Sequence, residues 1–583
     1  MGIRVNLTRL MGKYRHPGWL MPWCLFALTG VALRLTNWST QILLDDEWHA
    51  LNFVFNRSFS DVFTQQGLGA NSIPVNVYCW MTLHSTGWSE PVLRLPSLVA
   101  GAAALVVLPM LVKRVWGQSV ACVTTALLAV SPVVIFYSRI MRPYAPAMLL
   151  ATSSVLLTLV WLKEGRRRDL LLSALCGSLA VYYHLYTAIP VGVPLLVALA
   201  AAMKPVGQRL GLTLESKHPF RDLLLAGGIM AAVVGVLVVI PNVLNPWWSR
   251  GIHGRDHANL DTAVTVLSLV SGTRNPVLMA IALGLLLAGL GMIVQRSRVM
   301  GAAMVLSFLV FSLIMATTTQ DGAHAGIQVV RYGITFIPLS FVAVAVAVVR
   351  VGEFLRARHK IFQRGHLVFP VALLAWCPFL ATSPLWITYA QPNNFSNHSA
   401  YQYRYDPIQW HQRSPERDLT PGVSLEFGGI PRFYFTSPLI AHAKGVIEYP
   451  VLIGDQLNLY YYYQHFHRRT VMAGFVANNL FAPVEPGRDF VYGNWPIDSV
   501  MTAMPESLRK KMSWNAMVDL NDIKVLRSRF KGWIIIVHRD PLSEIFQKDS
   551  PDNPMSLELV NGLSAALGAP DALDEQLAVW TIH

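Results

Sequence analysis

Long apolar stretches recur through the first two thirds of the chain and then stop. Each is close to the roughly 20 residues that a helix needs to cross a hydrocarbon core of about 30 Å, and basic residues collect after every second one. The pattern predicts about eleven transmembrane helices, over residues 19–36, 93–112, 118–136, 142–162, 169–187, 188–203, 222–241, 276–295, 299–318, 332–349 and 367–388. Residues 72–88 are also apolar but contain Pro74, Asn76 and His84, so we expect an interfacial helix there.

The chain changes character after residue 388. A run of β-branched residues predicts a buried strand over residues 531–537, followed by a helix over 556–567 that ends at Gly568 and a last strand over 577–582. The fold class is therefore a polytopic α-helical membrane protein with a C-terminal soluble α/β domain. The membrane part is expected over residues 1–388, with a first outer loop at 37–92, and the soluble domain over 389–583.

Composition agrees with this division. Of the 583 residues 53% are hydrophobic and 14% are charged, against roughly 25% charged in soluble proteins. This excludes a single soluble enzyme, a disordered chain and a coiled coil. The net charge of +14 arises in the membrane part, where basic loops mark the cytoplasmic side, so we expect no nucleic-acid partner. The pattern predicts a multi-pass inner (plasma) membrane protein with a cytoplasmic N-terminus and a C-terminal domain on the far side, periplasmic or luminal.

The outer ends of the predicted spans carry arginine but no lysine. Arg139, Arg142 and Arg331 lie at such ends. A guanidinium group binds phosphate through two parallel hydrogen bonds and stays charged when partly buried, so these residues are candidates for binding an anionic head group. Anchoring to membrane lipids would produce the same preference for arginine.

Three consecutive carboxylates lie in the first outer loop. They are Asp45, Asp46 and Glu47. Mutual repulsion makes one of three adjacent carboxylates a better proton acceptor, which suits a general base or a cation ligand. The alternative is an N-cap at the start of a helix. We expect no cofactor and no metal site, because neighbouring side chains point in different directions; a divalent cation held by Asp45, Glu47 and His49 is the less favoured possibility.

At this point the chain resembles a known family. An acidic pair after the first span, then Arg94-Leu95-Pro96-Ser97 at the second, resembles the polyprenyl-phosphate-dependent glycosyltransferases of the GT-C superfamily, which include protein O-mannosyltransferases and aminoarabinose transferases of lipid A. Further matches are Tyr137-Ser138-Arg139-Ile140-Met141-Arg142-Pro143-Tyr144, Tyr183-His184-Leu185-Tyr186 closing the fifth span and Arg331-Tyr332 opening the tenth.

The resemblance implies an enzyme that moves a sugar from a polyprenyl-phosphate donor to a hydroxyl acceptor on the outer face. The acceptor would be an envelope glycan, a lipid or a protein, and a single displacement would invert the anomeric carbon. The implied site residues fall into three groups: Asp46 as base, with Glu47 orienting substrate and Asp45 as the alternative base; Arg331, Arg139 and Arg142 on the donor phosphate; and His184, Tyr144 and Tyr332 in contact with substrate.

Two other functions stay open on sequence grounds: a lipid transporter or flippase, and a non-catalytic assembly protein of the cell envelope in which the acidic triplet only caps a helix. A transporter or flippase of an anionic or glycosylated lipid would also need many spans and outer arginines, although ionisable residues are rare within the spans and the two halves do not repeat. For His184 the bland interpretation is a buried histidine whose hydrogen bonds are satisfied within the protein.

Overall fold

The protein is described here from a computed structural model. It describes residues 20–36, 38, 47, 50, 54, 58–64, 72–85, 90–212, 214, 216–244, 259–318, 325–358, 377–383, 433–449, 467, 469–472, 527, 530–538, 554–574 and 577–583. The chain divides into two compact units, the first formed by residues 1–38, 60–78 and 91–390 and the second by residues 39–59, 79–90 and 391–583.

The first unit is helical. Up to the fifth predicted span its helices, including two that begin in the second unit, are α1 (Leu20–Leu35), α2 (Phe59–Thr64), α3 (Ile73–Ser85), α4 (Glu90–Trp116), α5 (Gln118–Val130), α6 (Pro132–Tyr137), α7 (Tyr144–Glu164) and α8 (Arg167–Tyr183). A 3₁₀ turn at Leu185–Thr187 leads into α9 (Ala188–Ala202) and α10 (Lys204–Leu210). Then come α11 (Pro219–Val234), a π-helical segment at Gly235–Val239, α12 (Ile240–Leu244), α13 (Leu260–Ser271), α14 (Pro276–Arg296), α15 (Arg298–Thr318), α16 (Ala325–Tyr332) and α17 (Phe336–Arg358).

Within the described residues, seven helical segments are long and apolar enough to cross a membrane. They are α4, α7, α14, α15, α17 and the segments Leu185–Ala202 and Pro219–Val239. Three shorter apolar helices lie at Pro22–Leu35, Gln118–Val130 and Thr262–Ser271. The chain is therefore a polytopic helical membrane protein. Of the last predicted span, over 367–388, only residues 377–383 are described.

Small residues allow the helices to approach closely. A Cβ on Gly289 of α14 would lie 1.9 Å from the Ala343 carbonyl oxygen of α17, and a Cβ on Gly101 of α4 would lie 2.0 Å from the Ser138 hydroxyl. In lipid, where burial of apolar area does not drive helices together, such close contact and interhelical hydrogen bonds hold a bundle. Between α7 and α8 the bonds come from Ser154 and Ser173, whose Oγ atoms are 3.0 Å apart.

The helix boundaries correct the sequence analysis at three places. The span predicted over 118–136 breaks at Ser131, where Pro132 starts α6. The tenth span does not open at Arg331-Tyr332: those residues end α16, and the span begins at Phe336. A helix at Leu260–Ser271 was not expected, because its 12 residues are fewer than a span requires.

The second unit contains a five-stranded mixed sheet. Short helices α18 (Phe433–Thr436) and α19 (Pro438–His442) precede β1 (Gly445–Tyr449), followed by β2 (Thr470–Met472), β3 (Ile534–His538), α20 (Pro554–Leu567), β4 (Ala572–Leu573) and β5 (Leu577–Thr581). The strand order is β2-β1-β3-β5-β4, with β1 parallel to β2 and β3, and β5 antiparallel to β3 and β4. The strand, helix and last strand expected near 531–582 are present as β3, α20 and β5.

Candidate active site

Arg34 links two helices, α1 and α5, to the turn between α6 and α7, residues 138–143. This arginine is fully buried in the last turn of α1. Its guanidinium donates to the Ser138 hydroxyl (Nε to Oγ, 3.2 Å) and to the Leu128 carbonyl at the end of α5 (3.1 Å). A helix leaves its last carbonyls unpaired, and Pro132 has no N–H to offer Leu128. Arg34 therefore caps α5 while it holds the turn.

Two further hydrogen bonds hold the same turn. Arg139 is fully buried, and one of its guanidinium nitrogens donates to the Leu33 carbonyl in α1 (3.2 Å). The Ser97 hydroxyl of α4 donates to the Arg142 carbonyl (3.1 Å). The backbone from which the Arg142 side chain projects is therefore fixed by α1 and α4.

Four aromatic rings from three parts of the chain pack together near this turn. The rings of Tyr186 and Tyr332 stack in parallel, with centroids 4.7 Å apart and an interplanar angle of 6°. The His184 ring lies 5.9 Å from Tyr186 and 5.4 Å from Tyr332, and Tyr144 lies 5.4 Å from His184. These four residues form the tyrosine–histidine cluster. Tyr144 and His184 are buried and the other two are half-buried, so the tyrosine pair is its accessible part.

An arginine lies at each end of the tyrosine–histidine cluster. The Arg142 guanidinium carbon is 5.7 Å from the centre of the Tyr144 ring, and that of Arg331 is 5.3 Å from the centre of the Tyr332 ring. His184 lies between them, in the turn after α8, because that helix ends at Tyr183, four residues before the predicted end of the fifth span; the next apolar segment begins at Leu185. Burial, then the charges of Arg331 and Arg142, lower its pKa to about 3. The site thus offers two positive charges with a neutral imidazole between them.

The hydrogen bonding of His184 differs from that expected of a satisfied core histidine. The side chain is 4% exposed, and its Nδ1 atom makes no hydrogen bond within the described part of the chain. A buried polar atom left unpaired costs free energy, which a ligand hydroxyl could recover. His184 is buried, as a core histidine would be, but it is not satisfied by the residues around it.

The acidic triplet is only partly described. Asp45 and Asp46 lie outside the described residues. Glu47 is fully buried. Burial and, to a smaller extent, the charge of Glu47 raise the pKa of the Cys79 thiol in α3.

The described residues contain no cluster of three or more His, Cys, Asp or Glu side chains arranged to hold a metal ion. Asp45 and His49, two of the three ligands considered for a divalent cation, lie outside the described part of the chain.

Six of the nine candidate residues can thus be placed around one region. Arg142, Tyr144, His184, Arg331 and Tyr332 come together, and Arg139 lies in the turn that carries Arg142. Tyr186 belongs to the motif Tyr183-His184-Leu185-Tyr186 but was not among the candidate site residues. In a regular helix a residue two positions after His184 would point to another face. The 3₁₀ turn that follows His184 turns it back toward Tyr332.

A family comparison matches part of the chain. Residues 76–244 fit the model of the family described as dolichyl-phosphate-mannose-protein mannosyltransferase. The match covers Arg94, the 138–143 turn and His184-Leu185-Tyr186, and it ends before Arg331. A search of curated protein sequences finds no significant match.

Solved structures match almost the whole chain. ArnT from Cupriavidus metallidurans in the apo state has a TM-score of 0.54 at 12% identity, over 96% of this chain and 97% of that one. The same protein bound to undecaprenyl phosphate gives 0.53 at 13% identity, with the same coverage. The archaeal oligosaccharyltransferase AglB from Archaeoglobus fulgidus, in complex with an inhibitory peptide and a dolichol-phosphate, gives 0.48 at 13% identity over 90% of this chain and 69% of its own.

The family match and the fold shared with ArnT together confirm the resemblance, inferred from the sequence motifs, to the polyprenyl-phosphate-dependent glycosyltransferases of the GT-C superfamily.

Proposed function

We propose that the protein is a membrane glycosyltransferase that moves a sugar from a polyprenyl-phosphate donor to a hydroxyl acceptor on the outer face of the inner (plasma) membrane. One observation carries the proposal: Arg142 and Arg331, distant in sequence, lie at the two ends of one tyrosine–histidine cluster beside the ends of long apolar helices. Two guanidinium groups beside aromatic rings suit a phosphate joined to a sugar. Undecaprenyl phosphate bound to ArnT, which shares this fold, supports a polyprenyl chain as the lipid.

Arginine would act on the leaving phosphate. Negative charge grows on the phosphate as the bond to the anomeric carbon breaks, so a preorganised cation stabilises the transition state more than the bound donor. We assign Arg331 and Arg142 to direct contact. Arg139 contributes charge from the turn while one of its nitrogens is held by Leu33.

The acceptor hydroxyl needs a base. A hydroxyl is a weak nucleophile at neutral pH, and a carboxylate that takes its proton as the new bond forms accelerates attack. We assign this role to Asp46, with Asp45 as the alternative and Glu47 orienting substrate. One displacement on the anomeric carbon inverts its configuration.

Transfer by purified protein tests the assignment of the base. The protein is reconstituted in liposomes with a lipid-linked sugar and an envelope extract as acceptor, beside Asp45→Asn, Asp46→Asn and Glu47→Gln. We expect Asp46→Asn to reduce transfer about a hundredfold or more, the scale of general-base loss, with donor binding intact. Full transfer by all three variants would exclude the triplet from catalysis. Lipid flux across the bilayer without transfer in the unaltered protein would favour the transporter instead.

A further inference from the structure

The tyrosine–histidine cluster separates into a charged part and an uncharged part. The guanidinium groups of Arg142 and Arg331 lie against Tyr144 and Tyr332. Tyr186 and His184 supply no charge, since burial and the two arginines keep the imidazole neutral. A ligand that spans the cluster therefore meets positive charge and, beside it, rings and one neutral polar atom.

The stacked pair offers a flat apolar surface. Tyr186 and Tyr332 lie within 6° of parallel and are both half-buried. A ring locked against a second ring cannot easily rotate, so its surface is ready for a ligand without further loss of side-chain freedom. The face of a pyranose ring carries C–H groups, and it fits a flat aromatic surface in the way that apolar ligand parts fit aromatic pockets.

His184 supplies the polar counterpart. It touches both members of the stacked pair, and its buried Nδ1 atom makes no hydrogen bond within the described residues. A hydroxyl group can pair with either tautomer of a neutral imidazole, as donor or as acceptor. A ligand that lies on the tyrosine pair could supply the missing partner of Nδ1 with a neutral hydrogen-bonding group.

We propose that Tyr186, stacked on Tyr332 and adjoining His184, forms a subsite for the sugar ring of the donor: an uncharged pyranose whose face lies on the tyrosine pair and whose hydroxyl pairs with His184 Nδ1. This inference rests on the proposed function and extends it by separating the residues that bind sugar from those that bind phosphate. Tyr186 then determines whether the protein distinguishes a loaded donor from the bare lipid phosphate that remains after transfer.

The test compares two ligands on the same protein. In nanodiscs, affinities are measured for undecaprenyl phosphate and for polyprenyl-phosphate mannose and glucose. We expect at least one sugar-bearing lipid to bind the unaltered protein more tightly than undecaprenyl phosphate does. Tyr186→Ala should lower the affinity for that lipid roughly five- to tenfold, and leave undecaprenyl phosphate unchanged. Tyr186→Phe, which keeps the ring, should stay within about threefold.

Further variants separate the possible outcomes. Tyr182→Ala removes a phenol from the end of α8, outside the cluster, and should change neither affinity. His184→Phe should act like Tyr186→Ala. Arg331→Ala should weaken both ligands. Equal losses for both ligands in Tyr186→Ala would place the lipid on the tyrosine pair and overturn the sugar subsite, as would unaltered protein that binds all the lipids equally. Failure of the unaltered protein to bind any polyprenyl phosphate would instead refute the proposed function.

Discussion

Arg331 and Arg142 have different surroundings although both face the tyrosine–histidine cluster. Arg142 is 5% exposed, and its backbone is held by Ser97. Arg331 is half-buried and sits in the last turn of the eight-residue helix α16. Of the two, Arg331 is the one that can be replaced with less disturbance of the fold, so it is the better residue for testing phosphate binding.

Replacing Arg331 should show how much its planar guanidinium group contributes to donor use. We expect Arg331→Ala to weaken donor use more than Arg331→Lys, because lysine keeps the charge but loses the paired hydrogen bonds to phosphate. Steady-state transfer rates at matched expression measure this. Arg274→Ala, in the turn between α13 and α14, serves as the control and should have a smaller effect. Near-normal turnover in both Arg331 variants would remove Arg331 from the phosphate site.

His184 should not impose a pH dependence on transfer. Its pKa is lowered to about 3 by burial and by the charges of Arg331 and Arg142, so it is neutral above that range and gains no proton as pH falls from about 8 to 5, where an ordinary histidine titrates. We expect the pH profiles of the unaltered protein and His184→Phe to have the same shape. An inflection near the usual histidine pKa that disappears in His184→Phe would contradict a neutral imidazole.

Residue type and position along the chain identify several site residues but not how they come together. Arg142, Tyr144, His184, Arg331 and Tyr332 could be chosen because their types suit phosphate and sugar and because they lie near span ends. That they meet depends on the packing of α7, α8 and α16, which no local pattern encodes. Arg34 and Ser97 could not be chosen, since their roles are hydrogen bonds to backbone carbonyls that only the tertiary structure brings within reach.

The long apolar stretches predicted the bounds of most helices to within a few residues, because length and hydropathy decide where a chain can cross lipid. Breaks of a helix within an apolar stretch were harder to predict from the sequence. Ser131-Pro132 and residues 333–335 interrupt helices within stretches that are apolar overall. The first break precedes α6 and the 138–143 turn, and the second follows Arg331 at the end of α16. A uniform apolar run thus conceals the irregular backbone on which the site depends.

The opposite ends of these helices carry a second, partly buried network. Arg114 of α4 donates to Asp169 of α8 (2.9 and 2.6 Å) and to Glu164 of α7 (2.8 Å). Lys163 donates to the Arg114 and Val115 carbonyls (2.6 and 2.8 Å), capping α4. The Asp169 side chain is 3% exposed, so its charge depends on Arg114 for compensation.

Removing Arg114 should therefore destabilise the bundle without altering the chemistry. Loss of one partner leaves the Asp169 charge uncompensated, and since Arg114 itself is 28% exposed we expect a loss of about 2 kcal/mol rather than the 3–5 kcal/mol of a fully buried pair. Thermal unfolding of Arg114→Gln in detergent measures this. Arg350→Gln, whose partner Glu353 is as exposed as itself at 53%, is the matched control and should change little. Equal stability of the two variants would refute a structural network at Arg114.

In the whole molecule, the distribution of charge predicts the orientation of the protein in the membrane. The basic clusters follow alternate spans, and the positive-inside rule places them in the cytoplasm. We therefore expect the network at Arg114 on the cytoplasmic side, and the tyrosine–histidine cluster, at the other ends of α7 and α8, on the outer side, where the proposed donor would be used.

Reporter fusions test the orientation. Fusions after Lys113 and Arg167 should show cytoplasmic reporter activity, and a fusion after Gln391 should show activity only of a reporter that works outside the cytoplasm. Cytoplasmic activity at Gln391 would reverse the topology and place the proposed site on the wrong face for this donor.

The proposed function requires that the protein consumes a lipid-linked sugar and joins it to an acceptor. Mass spectrometry of lipid-linked sugars and envelope glycans tests it most directly, on native cells that contain the protein, lack it, or carry Asp46→Asn at matched abundance. We predict that both altered strains accumulate one polyprenyl-phosphate sugar and lose the same sugar from one envelope acceptor. Unchanged lipid-linked sugars and unchanged acceptors in cells that lack the protein would contradict a glycosyltransferase.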